Sequence, residues 1–554
     1  MYSVILYDFI ALAVSASVLV SSYRALKSYK KRIGYLTELE DYCLELRHRY
    51  GESKILADAV FASFDPAEKK IGKYAYGMMR VFSNDRSEDM NATAYGESLT
   101  EPYEKLLVAV CGLVEEYGDN TGCSFSETIL KIVTDIREER RHLIKRSHGF
   151  KGLAATAAVP CLFVRPLGNW GMDSIPSLID FYHGRGGVYL RCVVLALTFM
   201  CGMAVRILSN PVSFRDRLRS LGRKMGTLRI PEKTMGSLKS YLCGKLDRLD
   251  IRIGAGRIFF GSFLVAGIFF LISFMSILLG HSDRRNDYIH DTSDIENTLK
   301  VADTATINAA KRVIPYLMEN TTEGIGVYTE QELIDEISAA GVRSREDAGH
   351  VAEEYYERLK RFAGEETDFF DLLFVLTMSA LGWALPTVAL AALGVALDNR
   401  IKEEVMQFES VIDMEKDMNG MTVPIMLDSM MSFASVTRSA LIKTITDYNT
   451  NEEKAFAHLG EAGNDRTLKR LAGFFAMTDM LGIRHAFDEV SAELDGMREE
   501  RSLERTLRLE DEVMLAGILS VLPGGLVVFG YLLVPFITRS LEMFNAYSDS
   551  LGMM

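Results

Sequence analysis

None of the 7 cysteines in this 554-residue chain belongs to a CxxC pair, and none of the 9 histidines has ligand-type spacing. That argues against a zinc or redox centre. Cys43, Cys111, Cys123 and Cys243 fall in segments read below as cytoplasmic, Cys161, Cys192 and Cys201 in apolar segments, and residues 281–368 have none. This usage suits reduced, unpaired thiols. The chain also lacks GxxxxGK[ST], GxSxG, HExxH and an EF-hand loop. No enzyme, cofactor or metal site is therefore expected. GAG at residues 254–256 is the nearest glycine-rich phrase, and it opens an apolar run, as a turn would. No nucleic-acid partner is expected.

Charge is missing altogether from residues 258–280, 372–397 and 513–538. Hydrophobic residues make up 48% of the chain and the mean hydropathy is +0.08, with the excess gathered in blocks. Each charge-free block is long enough to cross about 30 Å of hydrocarbon as a helix. Three weaker blocks follow the same logic. Residues 1–23 contain Asp8 and precede Arg24, Lys27, Lys30, Lys31 and Arg32, which reads as an anchor rather than a cleaved signal. Residues 152–172 contain Arg165 and residues 186–205 contain Arg191. Both arginines are expected toward outer helix ends, where they can snorkel, and a re-entrant hairpin over 152–205 is the alternative.

Charge asymmetry orients these spans. Residues 206–257 hold 13 Lys or Arg against 4 Asp or Glu, a net of +9; residues 281–368 hold 10 against 20, a net of −10. The positive-inside rule puts the first segment in the cytoplasm and the second outside. The expected order is then a span at 1–23, a cytoplasmic helical domain at 24–151, a hairpin at 152–205 and a basic cytoplasmic loop at 206–257. A span at 258–280, an acidic outer helical domain at 281–368, a span at 372–397, a second cytoplasmic domain at 398–512 and a span at 513–538 complete it. The fold class is an all-α polytopic membrane protein in the cytoplasmic membrane, with two cytoplasmic bundles, six spans and a small outer domain.

One charged phrase occurs twice, DIREER at 135–140 and GMREER at 496–501. A gapless shift of 361 also pairs Gly112 with Gly473, Val114 with Phe475, Ile129 with Val490 and Val133 with Leu494, and the distance onward to the next apolar run is the same. A helical bundle whose last helix enters the membrane is thus present twice. Apolar positions at three and four in residues 468–500, such as Leu468, Leu471 and Phe475, mark helices that pack on one side. In the outer segment Thr329 with Glu332 and Ser344 with Asp347 have capping-box spacing, and residues 352–362 (AEEYYERLKRF) are amphipathic. Asn320-Thr321-Thr322 is a glycosylation sequon of the kind that also arises by chance.

The second copy opens with VPIMLD, in which Pro424 and Asp428 stand four apart, carries LGIRHAF with Gly482 at its middle, and closes on MREER before a span. These phrases resemble the F domain of the platform proteins of type II secretion and type IV pilus systems, a family that includes the archaellum platform protein. The resemblance covers residues 398–540 well and 40–170 more loosely. Two departures stand out. Thr437 occupies a position where the family usually has glycine, and the first copy is longer by about 25 residues between Ser53 and Glu127. Two copies separated by an outer domain are more like the archaeal members. The resemblance implies a non-catalytic platform that contacts a hexameric cytoplasmic ATPase and helps move pilin or archaellin-like subunits from the bilayer into a filament, as a homodimer among membrane lipids.

Within that reading, Arg215, Arg217, Arg219, Arg223 and Lys224 are candidates for ATPase contact, or else fix topology against anionic lipid. Arg137, Glu138, Glu139 and Arg140, with Arg498, Glu499, Glu500 and Arg501, are candidates for coupling bundle to membrane, or else form a solvated face of mutual ion pairs. Pro424 and Asp428 suit a first helical turn in any case. The alternative function is a polytopic transporter or a sensor that uses the outer domain as receptor; the charge-free spans lack the ionisable groups a transport path needs, and neither bundle looks like an output module.

Overall fold

The computed structural model describes the chain apart from residue 1 and residues 64–100, 120–123, 176–177, 225–254, 293–294, 296–298, 300–302, 323–327, 343, 449, 462–465 and 553–554. The described residues form helices and no strand. Six helices are long and apolar enough to cross a membrane, within Tyr2–Ser53, Phe125–Ser174, Arg185–Ser209, Ile258–His290, Phe369–Glu415 and Leu503–Asn545. The chain is an all-α multi-pass membrane protein.

The first half contains α1 (Tyr2–Ser53), α2 (Leu56–Ala62), α3 (Pro102–Tyr117) and α4 (Phe125–Gly149). Ser124 and Glu127 close a capping box on α4. Gly152, at φ 89°, breaks the helix before α5 (Leu153–Ala158), a 3₁₀ turn (Pro160–Phe163) and α6 (Val164–Ser174). After the short α7 (Ile179–His183), α8 (Arg185–Ser209) returns through the apolar layer and α9 (Pro211–Lys224) follows at once. The spans continue with α10 (Ala255–His290). Then come α11 (Thr304–Thr322), α12 (Glu330–Ala339) and α13 (Arg345–Gly364) of the small domain. The second half runs through α14 (Phe369–Glu415), α15 (Val423–Phe433), α16 (Arg438–Tyr448), α17 (Glu452–Glu461), α18 (Arg466–Leu481) and α19 (Ile483–Gly525). A π-helical stretch (Leu526–Leu533) and α20 (Val534–Gly552) end it.

Two large cores lie at opposite ends of the spanning helices. The small domain has its own, built on Leu317, Leu333, Ile337 and Tyr355. Both helix starts expected there are capped, by a Thr329–Glu332 box and by Ser344 accepting from the Asp347 amide. Its base is tied to the spans by His281, whose Nδ1 and Nε2 lie 2.8 and 3.0 Å from Glu365 and Asp371, while Arg284 bonds Glu365 at 3.0 Å. Asp283 caps α1 from a neighbouring helix, accepting from the amides of Tyr2 and Ser3, each at 2.8 Å.

At the other end the two bundles are not separate. One continuous core takes in Leu39, Leu46, Val110 and Ile132 from the first copy with Phe408, Leu427, Phe475 and Phe487 from the second. Tyr103 meets Phe433 edge-on across the join, with centroids 5.0 Å apart.

In the spanning layer Arg165 and Arg191 find partners within the protein. Arg165 Nη1 lies 2.6 Å from Asp8 Oδ2, so the two charges that interrupted separate apolar runs neutralise each other. Arg191 donates to the carbonyls of Gly187 and Tyr182, at 3.1 and 3.2 Å. Arg191 is buried and so does not snorkel, whereas Arg165 keeps an exposed side chain beside its ion pair. Helices pack closely where a side chain is missing. A Cβ on Gly382 of α14 would stand 2.9 Å from Phe269 Cγ and 3.2 Å from Ala266 Cα of α10.

Candidate functional site

The two segments that share the charged phrase can be compared in the structure. Gly118 (φ 79°) and Gly482 (φ 77°) each end the next-to-last helix of a copy and start the turn into the last. They are 364 apart, so the gapless shift of 361 is three residues out for α3 and α18, because the first copy has a longer turn before α4. Further on, Lys145 Nζ lies 3.4 Å from Thr506 Oγ1, a separation of 361. Gly149 lies against Val513 and Pro160 against Gly524. Contacts of near-constant separation mean parallel helices, and a separation equal to the repeat means that equivalent residues stand level. The last helices of the two copies run side by side into the apolar layer.

Directly beneath that layer, charged residues of α1, α4, α14 and α19 converge between the copies. Glu40 takes two guanidiniums, Arg137 Nε at 2.5 Å and Arg140 Nη1 at 2.6 Å. Glu139 is buried, with Arg32 at 3.5 Å and Gln407 Nε2 at 3.5 Å. Burial alone would raise its pKa, but Arg32 and Arg400 overcome this and hold the carboxyl below its ordinary value. Arg400 pairs with Glu403, and although burial opposes ionisation there too, Arg400 and then Arg146 bring Glu403 down to about 2. Arg146 reaches across the copies to Glu512 at 3.0 Å and donates to the carbonyls of Leu208 and Ser209. Lower down, Lys131 bonds Asp413 at 3.0 Å and Ser410 bonds Asp135 at 3.1 Å. Burial raises the Asp135 pKa and lowers that of His142.

The expected coupling residues thus divide. Arg137, Glu139 and Arg140 belong to the network, and Glu138 is half-buried beside it. Arg498, Glu499, Glu500 and Arg501 lie on α19, but their side chains fall outside the described residues. The sequence marked Arg32 only as a charge flanking the first apolar run, and did not single out Glu40, Arg400, Glu403 or Glu512. For Arg400, Glu403 and Glu512 a usable signal was their place, within a turn or two of an apolar run, where an unpaired charge is costly and a partner is needed.

The basic set divides as well. Arg215 is withdrawn from any outward surface: it is 2% exposed, and its Nη2 donates to the Ser435 carbonyl at 3.0 Å. It ties α9 to the turn at residues 434–437 because that turn presents a free carbonyl. Arg217 is exposed and Arg219 lies 3.8 Å from Asp216. The side chains of Arg223 and Lys224 fall outside the described residues.

The same turn explains the departure at Thr437. Glu404 accepts from the amides of Ser435, Val436 and Thr437 at 3.0, 2.8 and 3.0 Å, and from the hydroxyls of Ser435 and Thr437 at 2.7 and 2.8 Å. A carboxylate borrowed from α14 caps α16, and threonine supplies a donor that glycine lacks. Pro424 sits in the first turn of α15 as expected, and it and Asp428 are exposed. Below them Glu415 is fully buried, with Ser429 Oγ at 2.6 Å from one oxygen and no partner on the other among the described residues.

Cys43, Cys111, Cys161, Cys192 and Cys201 are unpaired and buried, while Cys123 and Cys243 lie outside the described residues. Among the described residues no cluster of three or more His, Cys, Asp or Glu is placed to hold a metal ion. The arrangement joins two bundles through one core beneath parallel helices. No protein-family model, curated protein or solved structure matches the chain.

Proposed function

We infer that this chain is a cytoplasmic-membrane platform of a type IV filament or type II secretion machine, coupling an assembly ATPase to the extraction of pilin-like subunits. The observation that supports it most is the pair of homologous bundles fused through one core and one buried ion network, each running directly into a membrane helix beside its counterpart. In this reading the bundle end is cytoplasmic, which agrees with the basic balance of residues 206–257. The acidic domain then faces outward, toward the base of the filament.

A force applied to either bundle reaches both membrane helices, because Glu139, Arg146, Arg400 and Glu512 lock α4, α14 and α19 together. The ATPase would meet Arg217 and the basic residues after it, with Arg215 left out as an internal anchor. A homodimer would present four bundles to a hexameric motor.

The test is a crosslinked pull-down from solubilised membranes. Wild type is compared with a variant carrying Arg217→Glu, Arg219→Glu, Arg223→Glu and Lys224→Glu, with Arg215 intact. Recovery of a secretion-type ATPase, lost in the variant, is the expected result. If wild type recovers no ATPase after crosslinking, the platform assignment fails and a transporter or sensor takes its place.

A further inference from the structure

The small domain joins the spans at two points: α10 runs toward it from the apolar layer, and residues 365–368 lead out of it from α13 to α14. Glu365 is the hub of the second joint. Its carboxylate faces His281 Nδ1 at 2.8 Å, Arg284 Nε at 3.0 Å and Tyr288 Oη at 3.5 Å, and its carbonyl accepts from Arg285 Nη2 at 2.6 Å. The other imidazole nitrogen, Nε2, lies 3.0 Å from Asp371.

Both ring nitrogens of a buried histidine thus face carboxylates. Only the doubly protonated ring donates to both; the neutral ring keeps one N–H and turns a lone pair toward the other anion. Asp371 also accepts from the Asp368 amide at 3.1 Å and from the Tyr189 hydroxyl, so it is held at the start of α14 whatever the charge on the ring. Nδ1 has a second neighbour, Arg284 Nη2 at 3.0 Å, which donates to it once the proton is lost. The bond that gives way is therefore the one to Glu365. Of the other charges at this end, Arg185 pairs with Asp368 at 3.1 Å, His183 with Asp287 at 3.3 Å, and Asp283 is turned to the amides of Tyr2 and Ser3. Burial would raise the Glu365 pKa, but the His281 hydrogen bond and the Arg284 charge hold it below its ordinary value, so this carboxylate stays an anion over the range in which imidazoles change charge.

We propose that His281 is a pH-sensitive latch on the small domain: protonated, it fastens residues 365–368 to α10, and on losing its proton it leaves Glu365 to Arg284 and loosens the joint. The latch rests on the multi-pass fold and not on the platform assignment, so it survives if no ATPase is found.

Hydrogen exchange over residues 362–372 of the purified full chain in detergent, corrected for intrinsic rates, is followed from pH 5 to pH 8.5. Wild type should lose protection about tenfold as pH rises through the imidazole range, the worth of one hydrogen bond to a charged group. His281→Gln should be weakly protected and flat. Glu365→Gln should be flat as well, since it takes away the anion that the proton on the ring serves. His183→Gln, an exposed neighbour, should follow wild type. Should His281→Gln lose its helical circular dichroism, Glu365→Gln decides. A flat wild-type profile overturns the proposal, and so does a wild-type slope in either folded variant.

Discussion

Glu415 is the residue at which a single atom's change should alter the pH response of the second bundle. It lies at the end of α14, fully buried, beside Ser429 and near Asp428. Burial pushes its pKa from 4.5 up to about 8; the Ser429 hydroxyl works against this and the Asp428 charge adds to it. The folded protein therefore holds a proton that the unfolded chain releases near pH 4.5. Below 4.5 the stabilisation is complete. Between 4.5 and 8 unfolding releases a proton, so the free energy of unfolding falls by about 1.4 kcal/mol per pH unit, and above 8 it levels off. Across that window the bundle loses on the order of 5 kcal/mol.

Glu415→Gln keeps the shape and a hydrogen-bonding oxygen for Ser429 but cannot ionise. Hydrogen exchange at the end of α14 and along α15, corrected for intrinsic rates between pH 5 and 9, is the assay. Wild type should lose protection steadily up to pH 8, while Glu415→Gln should stay flat and exceed it at pH 8.5. Asp428→Asn, which removes a like charge, should move the end of the decline to lower pH. Equal slopes in wild type and Glu415→Gln would refute the reasoning, since the proton would then belong to some other group.

Glu404→Gln leaves one fewer anionic oxygen for five donors and should cost about 3 kcal/mol, read as faster proteolysis at residues 434–437. A Cβ on Gly149 would stand 3.6 Å from Val513 Cβ, within the span of a disulfide, so Gly149→Cys with Val513→Cys should crosslink under mild oxidation; absence of a crosslink would contradict the parallel arrangement. Gly382→Leu forces α14 away from α10 and should lower the thermal midpoint in detergent by several degrees, whereas Gly394→Leu, with open space beside it, should not.

The spans and the repeat were legible because they depend on composition and spacing along one dimension. Uncharged runs at 258–280, 372–397 and 513–538 leave no alternative to burial in lipid. The caps at Thr329 and Ser344 were legible for the same reason, since donor and acceptor are three residues apart. What was not legible is whatever joins distant segments. Asp8 and Arg165 each looked like a flaw in its own helix until the fold put them 2.6 Å apart. Arg215 read as surface charge because nothing in residues 211–224 shows that a carbonyl at Ser435 awaits it. The same blindness separated the bundles: a duplicated phrase announces two units, but only the core shared by Leu46 and Phe408 makes them one.

That fusion bears on what the ion network is for. Burying Glu139 and Arg146, and half-burying Arg400 and Glu403, between helices costs desolvation that apolar residues of similar size would avoid, so net stability is a poor reason for them. Apolar helices can slide by a turn with little change in contact, whereas each carboxylate here has its guanidinium at one height only. A slip of about 5 Å along α19 would part Arg146 from Glu512 and leave the buried guanidinium without its counter-ion. The network therefore penalises sliding between the copies far more than it rewards their association. Two parallel helices kept level in this way move as one piece, which is the property needed if a push at the bundle end is to be felt in the membrane.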